Sequence, residues 1–192
     1  MQYTRAFTMN GRSPSAFTSP RTAGVVFKDT ETGKEYGSFY EMLQDFNYED
    51  YATTDSFGTV EYHRAGGISF VWTDGVKDIV DRNEVYWLLD LINSYFVFNS
   101  HVIVKYRGNG QIEFVANPLN VPDYCDTILQ ISIVKLSEDT ALFSLDVEMY
   151  DRDKGDFVYK TIGCQYIPYT DMKDDYVYLF AENGVILYPQ EH

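Results

Sequence analysis

The sequence predicts an α+β fold, a twisted antiparallel β-meander packed on a central helical pair, with a basic N-terminal arm. Three observations predict it. Seventeen Tyr, 13 Phe and 2 Trp in 192 residues favour strands, because rings fit a pleated, half-buried surface. From Gly24 onward, alternating or aromatic-rich runs repeatedly flank short turn-forming stretches, the pattern of antiparallel hairpins. A single long stretch, Asp74 to about Phe96, instead follows the 3.6-residue period of a helix.

Residues 1–24 read as the arm and residues 25–192 as one domain. The first 28 residues carry Arg5, Arg12, Arg21 and Lys28 with no acid, which leaves 11 basic and 29 acidic residues for the remainder. Ser13-Pro14-Ser15 and Ser19-Pro20 interrupt any periodicity there, so no folded element is expected. An arm of this charge would lie on an acidic surface, either of its own body or of a neighbouring subunit in a homo-oligomer.

The hairpins follow in order. Val25 to Lys28 pairs with Lys34 to Tyr36, and Val60 to His63 with Ile68 to Trp72. His101 to Tyr106 pairs with Gln111 to Val115, and Ile128 to Leu136 with Ala141 to Tyr150, which pairs again with Phe157 to Tyr166. Tyr176 to Glu182 and Val185 to Tyr188 flank Asn183-Gly184, the dipeptide best suited to the positive φ angles of a type I′ turn. Ser38 to Asn47 is a short helix with Ser38 as N-cap and Glu41 three residues on. Between Asp74 and Phe96 two helices are expected, broken near Arg82-Asn83. The apolar positions Val85, Leu88, Leu89, Leu91 and Ile92 cover so much of the second helix that it should be buried.

Composition excludes several function classes. A formal net charge of −14 repels phosphate backbones and anionic lipid, so direct nucleic-acid and membrane binding are not expected. Two cysteines, Cys125 and Cys164, give neither a disulfide scaffold nor a cysteine-rich zinc site. The longest apolar candidate, Val85 to Phe98, is interrupted by Asp90, Asn93 and Ser94 and does not reach the length of a membrane span. With no apolar secretory signal at its start, the chain reads as cytoplasmic.

The stretch from Trp72 to Val80, followed by Val85 to Tyr95, resembles the signature of domain of unknown function 6876, a small bacterial family. Phe57-Gly58-Thr59 with Tyr62-His63-Arg64 is similar to the segment before that signature. Val134-Lys135-Leu136 and the stretch from Tyr166 to Pro189 are similar to its later strands. The resemblance covers about residues 57–190. Val85 stands where the family has a small residue. The resemblance implies a small accessory protein of bacteria or their mobile elements, with no activity or catalytic residues to transfer.

Catalytic patterns are sparse. His63 and His101 occur in no metal-binding spacing, so neither a metal nor another cofactor is expected. Glycine pairs such as Gly66-Gly67 fit hairpin turns and match no phosphate-binding loop, and no GxSxG elbow occurs. Asp74 and Asp78 suit the first turn of a helix, where carboxylates complement the macrodipole. Asp90 is ambiguous. With Tyr86 and Asn93 it forms either an exposed polar edge or, with His63 nearby, a pocket for a small ligand or a reaction.

Acid interleaved with tyrosine is the strongest remaining signal. Glu41, Asp45, Glu49, Asp50 and Asp55 lie among Tyr40, Tyr48 and Tyr51, with no Lys or Arg from residue 40 to 57. A second group, Asp171, Asp174 and Asp175, precedes Tyr176. Carboxylates steer a basic partner and rings supply contact area. The expected function is a non-catalytic interaction module of a phage or mobile element, an acidic inhibitor of a host defence or nucleic-acid-handling protein, with Glu41, Asp45, Tyr48, Glu49, Asp50, Tyr51 and Asp55 facing the partner. A structural or virion-associated subunit assembling through the arm is the second reading, and the His63, Tyr86, Asp90 and Asn93 pocket the third.

Overall fold

The computed structural model describes residues 5–20, 24–48, 61–68, 70–98, 102–106, 112–116, 128–151, 154–182 and 185–191, with the side chains of 96–98, 102–106, 112–116 and 149–151 excepted. Strand β1 (Phe7–Met9), a 3-10 turn at Pro14–Ala16, β2 (Phe27–Asp29) and β3 (Glu35–Tyr36) open the chain, followed by helix α1 (Phe39–Asp45). Next come β4 (Val71–Trp72), α2 (Asp74–Asn83), α3 (Tyr86–Phe98) and the hairpin β5 (Val102–Tyr106) with β6 (Ile112–Ala116). Strands β7 (Leu129–Lys135), β8 (Ala141–Asp151), β9 (Asp156–Ile167), β10 (Tyr176–Glu182) and β11 (Val185–Leu187) complete the fold.

The class is α+β, as the sequence predicts, but the strand order departs from a simple meander. The large sheet runs β4-β11-β10-β7-β8-β9. After β9 the chain crosses back so that β10 pairs with β7, and β9 is left at the edge. At the other edge β4 joins β11 in parallel, and among the described residues the expected hairpin of residues 60–72 shows one bridge, between His63 and Trp72.

Because β7, β8 and β10 lie inside this sheet, both of their faces are buried. One face carries Leu129, Ile131, Ile133, Phe143, Leu145, Val177 and Leu179, packed on Val76, Ile79 and Val80 of α2 and on Leu88, Leu89, Ile92 and Tyr95 of α3. The opposite face carries Val134, Leu142, Tyr176 and Tyr178 and is covered by β1 to β3 and α1 through Phe7, Met9, Phe27, Phe39, Met42 and Leu43. The expected break between the two helices falls slightly later than the sequence suggests. Asn83 is still helical, and Glu84 ends α2 in the left-handed region with φ of 57°.

The segment read as an arm contains a strand, a correction to the expectation of no folded element. Phe7, Met9 and Phe17 are buried, and Arg5 pairs with Asp29 at 2.6 Å and with Glu31 at 3.4 Å. Alternation of apolar residues at positions 7 and 9 was the available signal, too short to outweigh the nearby prolines. Residues 5–20 thus dock on the chain's own body.

A bulge in β9 positions the next features. Leu145 opposes Gly163 whereas Asp146 opposes Thr161, so Ile162 is the extra residue. Gly163 then lies under the Tyr95 ring, where an added Cβ would come within 2.7 Å, and the Tyr95 hydroxyl donates to the Cys164 carbonyl at 3.0 Å. On the other face, Thr161 stands beside Asp146.

Candidate functional site

Helix α1 is pinned to the sheet by a buried polar cluster. Ser38, at the N-cap, accepts the Glu41 N–H at 3.1 Å, and the next amide, Phe39 N–H, donates to Thr161 Oγ1 at 3.0 Å and Asp146 Oδ1 at 3.3 Å. Asp146 also accepts the hydroxyls of Thr161 and, at 2.8 Å, Ser144. Burial in this dry site pushes the Asp146 carboxyl up to about 6, although the three donors favour its ionised form. The Phe39 amide at the start of α1 supplies part of the compensation that a buried carboxylate requires.

With Phe39, Met42 and Leu43 turned into the core, α1 presents Tyr40, Glu41, Gln44 and Asp45 along its other side. These residues form one wall of an open groove of about 600 Å³. Glu35, Tyr36 and Gly37 line a second side, and Phe157 and Tyr159 of β9 close the third. The Tyr40 ring lies 4.8 Å from Tyr159 and stacks on Tyr178 at 5.6 Å. Tyr159 donates to Glu148 Oε1 at 3.0 Å, and burial followed by that carboxylate pushes its phenol up.

Asp45 is the most engaged carboxylate of the rim. It accepts the Tyr36 hydroxyl and, at 3.0 Å, Lys34 Nζ, and the Tyr36 bond followed by that of Lys34 holds it below the usual carboxylate range. Burial and the neighbouring Asp45 push the Tyr36 phenol up to about 12. Glu35 pairs with Lys28 at 3.3 Å. Glu41 has no cationic partner among the described residues. Three carboxylates and the one ammonium of Lys34 thus surround a floor of phenol rings, an arrangement suited to a cation carried on an apolar stem.

The Trp72 to Tyr95 block noted in the sequence runs from the end of β4, an edge strand of the large sheet, through α2 and most of α3, the two helices that cover one face of that sheet. The family of unknown function DUF6876 matches residues 52–192. The chain belongs to this family. Among curated proteins and among solved structures nothing matches the chain. The DUF6876 portion supplies all strands of the large sheet, both major helices and the β9 wall of the groove. Residues before position 52, outside the matched range, supply β1 to β3 and α1, and therefore the other walls.

The structure separates the residues singled out by sequence. Glu41 and Asp45 line the groove, whereas Tyr48 packs beside it on Tyr176 with ring centroids 5.5 Å apart. Glu49, Asp50, Tyr51 and Asp55 lie outside the described residues, as do His101 and Cys125. In the second acidic group, Asp174 is bound by Arg82 at 3.0 Å and by the Asn83 amide at 2.7 Å, so it ties α2 to the loop before β10.

In the other set, His63, Tyr86 and Asn93 each bond to a different partner. His63 Nε2 meets Asp74 Oδ1 at 2.6 Å, at the start of α2. Tyr86 donates to Asp81, Asn93 donates to the Gly67 carbonyl at 3.1 Å, and Asp90 is exposed on α3. No hydrogen bond or ion pair seen among the described residues joins His63 to Tyr86, Asp90 or Asn93. No three His, Cys, Asp or Glu side chains among the described residues are grouped to hold a metal ion. No helix among them is long and apolar enough to cross a membrane.

Two contributions were missed in the sequence. Phe157, Tyr159 and Thr161 show strand alternation, but nothing local says that their strand meets α1. Glu191 is the other: its carboxylate accepts Thr73 Oγ1 at 2.5 Å, Gly75 N–H at 3.2 Å and Tyr188 N–H at 3.1 Å, capping α2 from 116 residues away. An added Cβ on Gly75 would lie 2.8 Å from that carboxylate, so the glycine makes room for the cap.

Proposed function

We propose that this DUF6876 protein is a non-catalytic interaction module of a phage or mobile element, and that it engages a basic surface of a nucleic-acid-handling or defence protein through the groove between α1 and β9. The observation that carries this reading is the open aromatic floor of Tyr40 and Tyr159 beneath the rim carboxylates of Glu35, Glu41 and Asp45. The net charge of −14 supports it, because a field of that sign accelerates encounter with a positive patch. A photo-crosslinking residue at the exposed Gln44 tests the reading in the native host. The expected product is one protein with a basic surface whose association weakens as salt rises and slows in Glu41→Gln. Binding indifferent to salt, or crosslinks only to acidic proteins, would count against it.

A further inference from the structure

We infer that the groove is a site for one arginine side chain of the partner, its guanidinium lying on the Tyr40 and Tyr159 rings and pairing with the Glu41 carboxylate. This rests on the groove being the partner site proposed above and names the chemistry that it selects. The chain uses the same device within itself. Lys34 Nζ lies 4.9 Å from the Tyr36 ring centroid while pairing with Asp45 at 3.0 Å, and the Arg5 guanidinium lies 4.6 Å from the Phe46 ring centroid while pairing with Asp29 at 2.6 Å. In each, the negative face of a ring and a carboxylate act together on one cation. Rings and a carboxylate meet again at Tyr40, Tyr159 and Glu41, and there no described residue supplies the cation.

Glu41 is the carboxylate left for such a cation. Asp45 is held by Lys34 and Tyr36, and Glu35 by Lys28. As the third residue after the N-cap, Glu41 is placed for a capping box, yet its carboxylate makes no hydrogen bond among the described residues and lines the groove wall instead. The rings decide which cation fits. Tyr40 and Tyr159 have centroids 4.8 Å apart, and the buried Tyr178 backs Tyr40 at 5.6 Å. Rings this close leave no slot between them for a rounded ammonium, so they form a floor and not a cage. A flat guanidinium suits a floor, because it stacks on a ring and gives two parallel hydrogen bonds to one carboxylate at once. A lysine ammonium, compact and strongly hydrated, keeps the pairing but loses the stacking and the second bond.

The test is an NMR titration of the full chain with acetyl-Gly-Xaa-Gly-amide, where Xaa is Arg, Lys, trimethyl-Lys or citrulline. The Arg peptide should shift the Glu41 amide and Tyr40 ring signals saturably. Lys and trimethyl-Lys should bind ~2–5-fold more weakly for want of stacking, and citrulline, which keeps the shape but not the charge, should bind more weakly still. Glu41→Gln should weaken the Arg peptide by ~2–5-fold, the range of one half-exposed ion pair. Glu138→Gln, which removes the same charge from the exposed turn between β7 and β8, should leave it unchanged. Absence of Arg binding, Lys, trimethyl-Lys or citrulline binding as tightly as Arg, or equal losses in Glu41→Gln and Glu138→Gln would each overturn the inference. If the Gln44 crosslink still yields a salt-sensitive basic partner in that event, arginine recognition alone has failed; if neither is seen, the parent reading fails as well.

Discussion

The two faces of the central sheet are built to different rules. Toward the helical pair, β7, β8 and β10 present Leu129, Ile131, Ile133, Phe143, Leu145, Val147, Val177 and Leu179, an apolar face with no charged residue in its buried cluster. Toward α1, the alternate positions of the same strands carry Gln130, Ser132, Ser144, Asp146, Tyr176 and Tyr178 among the apolar Val134, Leu142 and Phe180. Both faces are equally well hidden from water. What differs is how position is specified: an apolar face gains free energy from any well-packed cover, whereas a face of hydroxyls and a carboxylate requires donors and acceptors at fixed points. The polar face therefore fixes where α1 sits, and with it where the groove opens.

The comparison can be broken most forcefully at Phe143, which is buried against Tyr95 with ring centroids 5.1 Å apart. Phe143→Ala should cost ~3–5 kcal/mol in urea unfolding. A cost below 1 kcal/mol would mean that the apolar face is not the main source of stability.

Asp146 tests the polar face through pH. Its folded carboxyl is raised from the ordinary 3.8 to about 6, so the folded state keeps a proton that the unfolded chain has lost between those values. Its stabilising contribution is complete below about pH 4 and is lost as pH rises through 6. The stability of the wild type relative to Asp146→Asn should therefore fall between pH 4 and pH 7, on the order of 3 kcal/mol for this fully buried group. Parallel stability profiles would show that Asp146 does not titrate with folding.

Gly163 sharpens the contrast, because it holds Tyr95 on the apolar side while the adjacent bulge brings Thr161 to the polar side. Gly163→Ala should destabilise by ~1–3 kcal/mol, as overpacking does, measured by thermal unfolding. The smallest effect is expected at Ser38, where Ser38→Ala removes the α1 cap at a cost of ~0.5–2 kcal/mol. If α1 is positioned as described, amide exchange in Ser38→Ala should quicken in α1 and leave α2 unchanged.

Much of the fold was legible in the chain because its signals are local. The helix at 39–45 follows from the Ser38 cap and the spacing of Phe39, Met42 and Leu43, and the β7–β8 and β10–β11 hairpins follow from runs flanking short turns. For the site, Glu41 and Asp45 were legible as acids among tyrosines. Tyr36, Phe157 and Tyr159 were not, since they reach the groove only through pairing and docking between distant segments.

The sequence by itself determined the elements, their antiparallel hairpins and the negative charge, because periodicity, turn chemistry and composition act over a few residues or over none. Only the tertiary structure decided that β10 returns to β7, that β9 is left as an edge and that residues 7–9 become a strand. Those outcomes depend on which buried surfaces fit one another across more than a hundred residues, as Phe39 fits Asp146 and Thr161. A pattern of apolar and polar letters records that a face must be covered, and packing alone selects its cover.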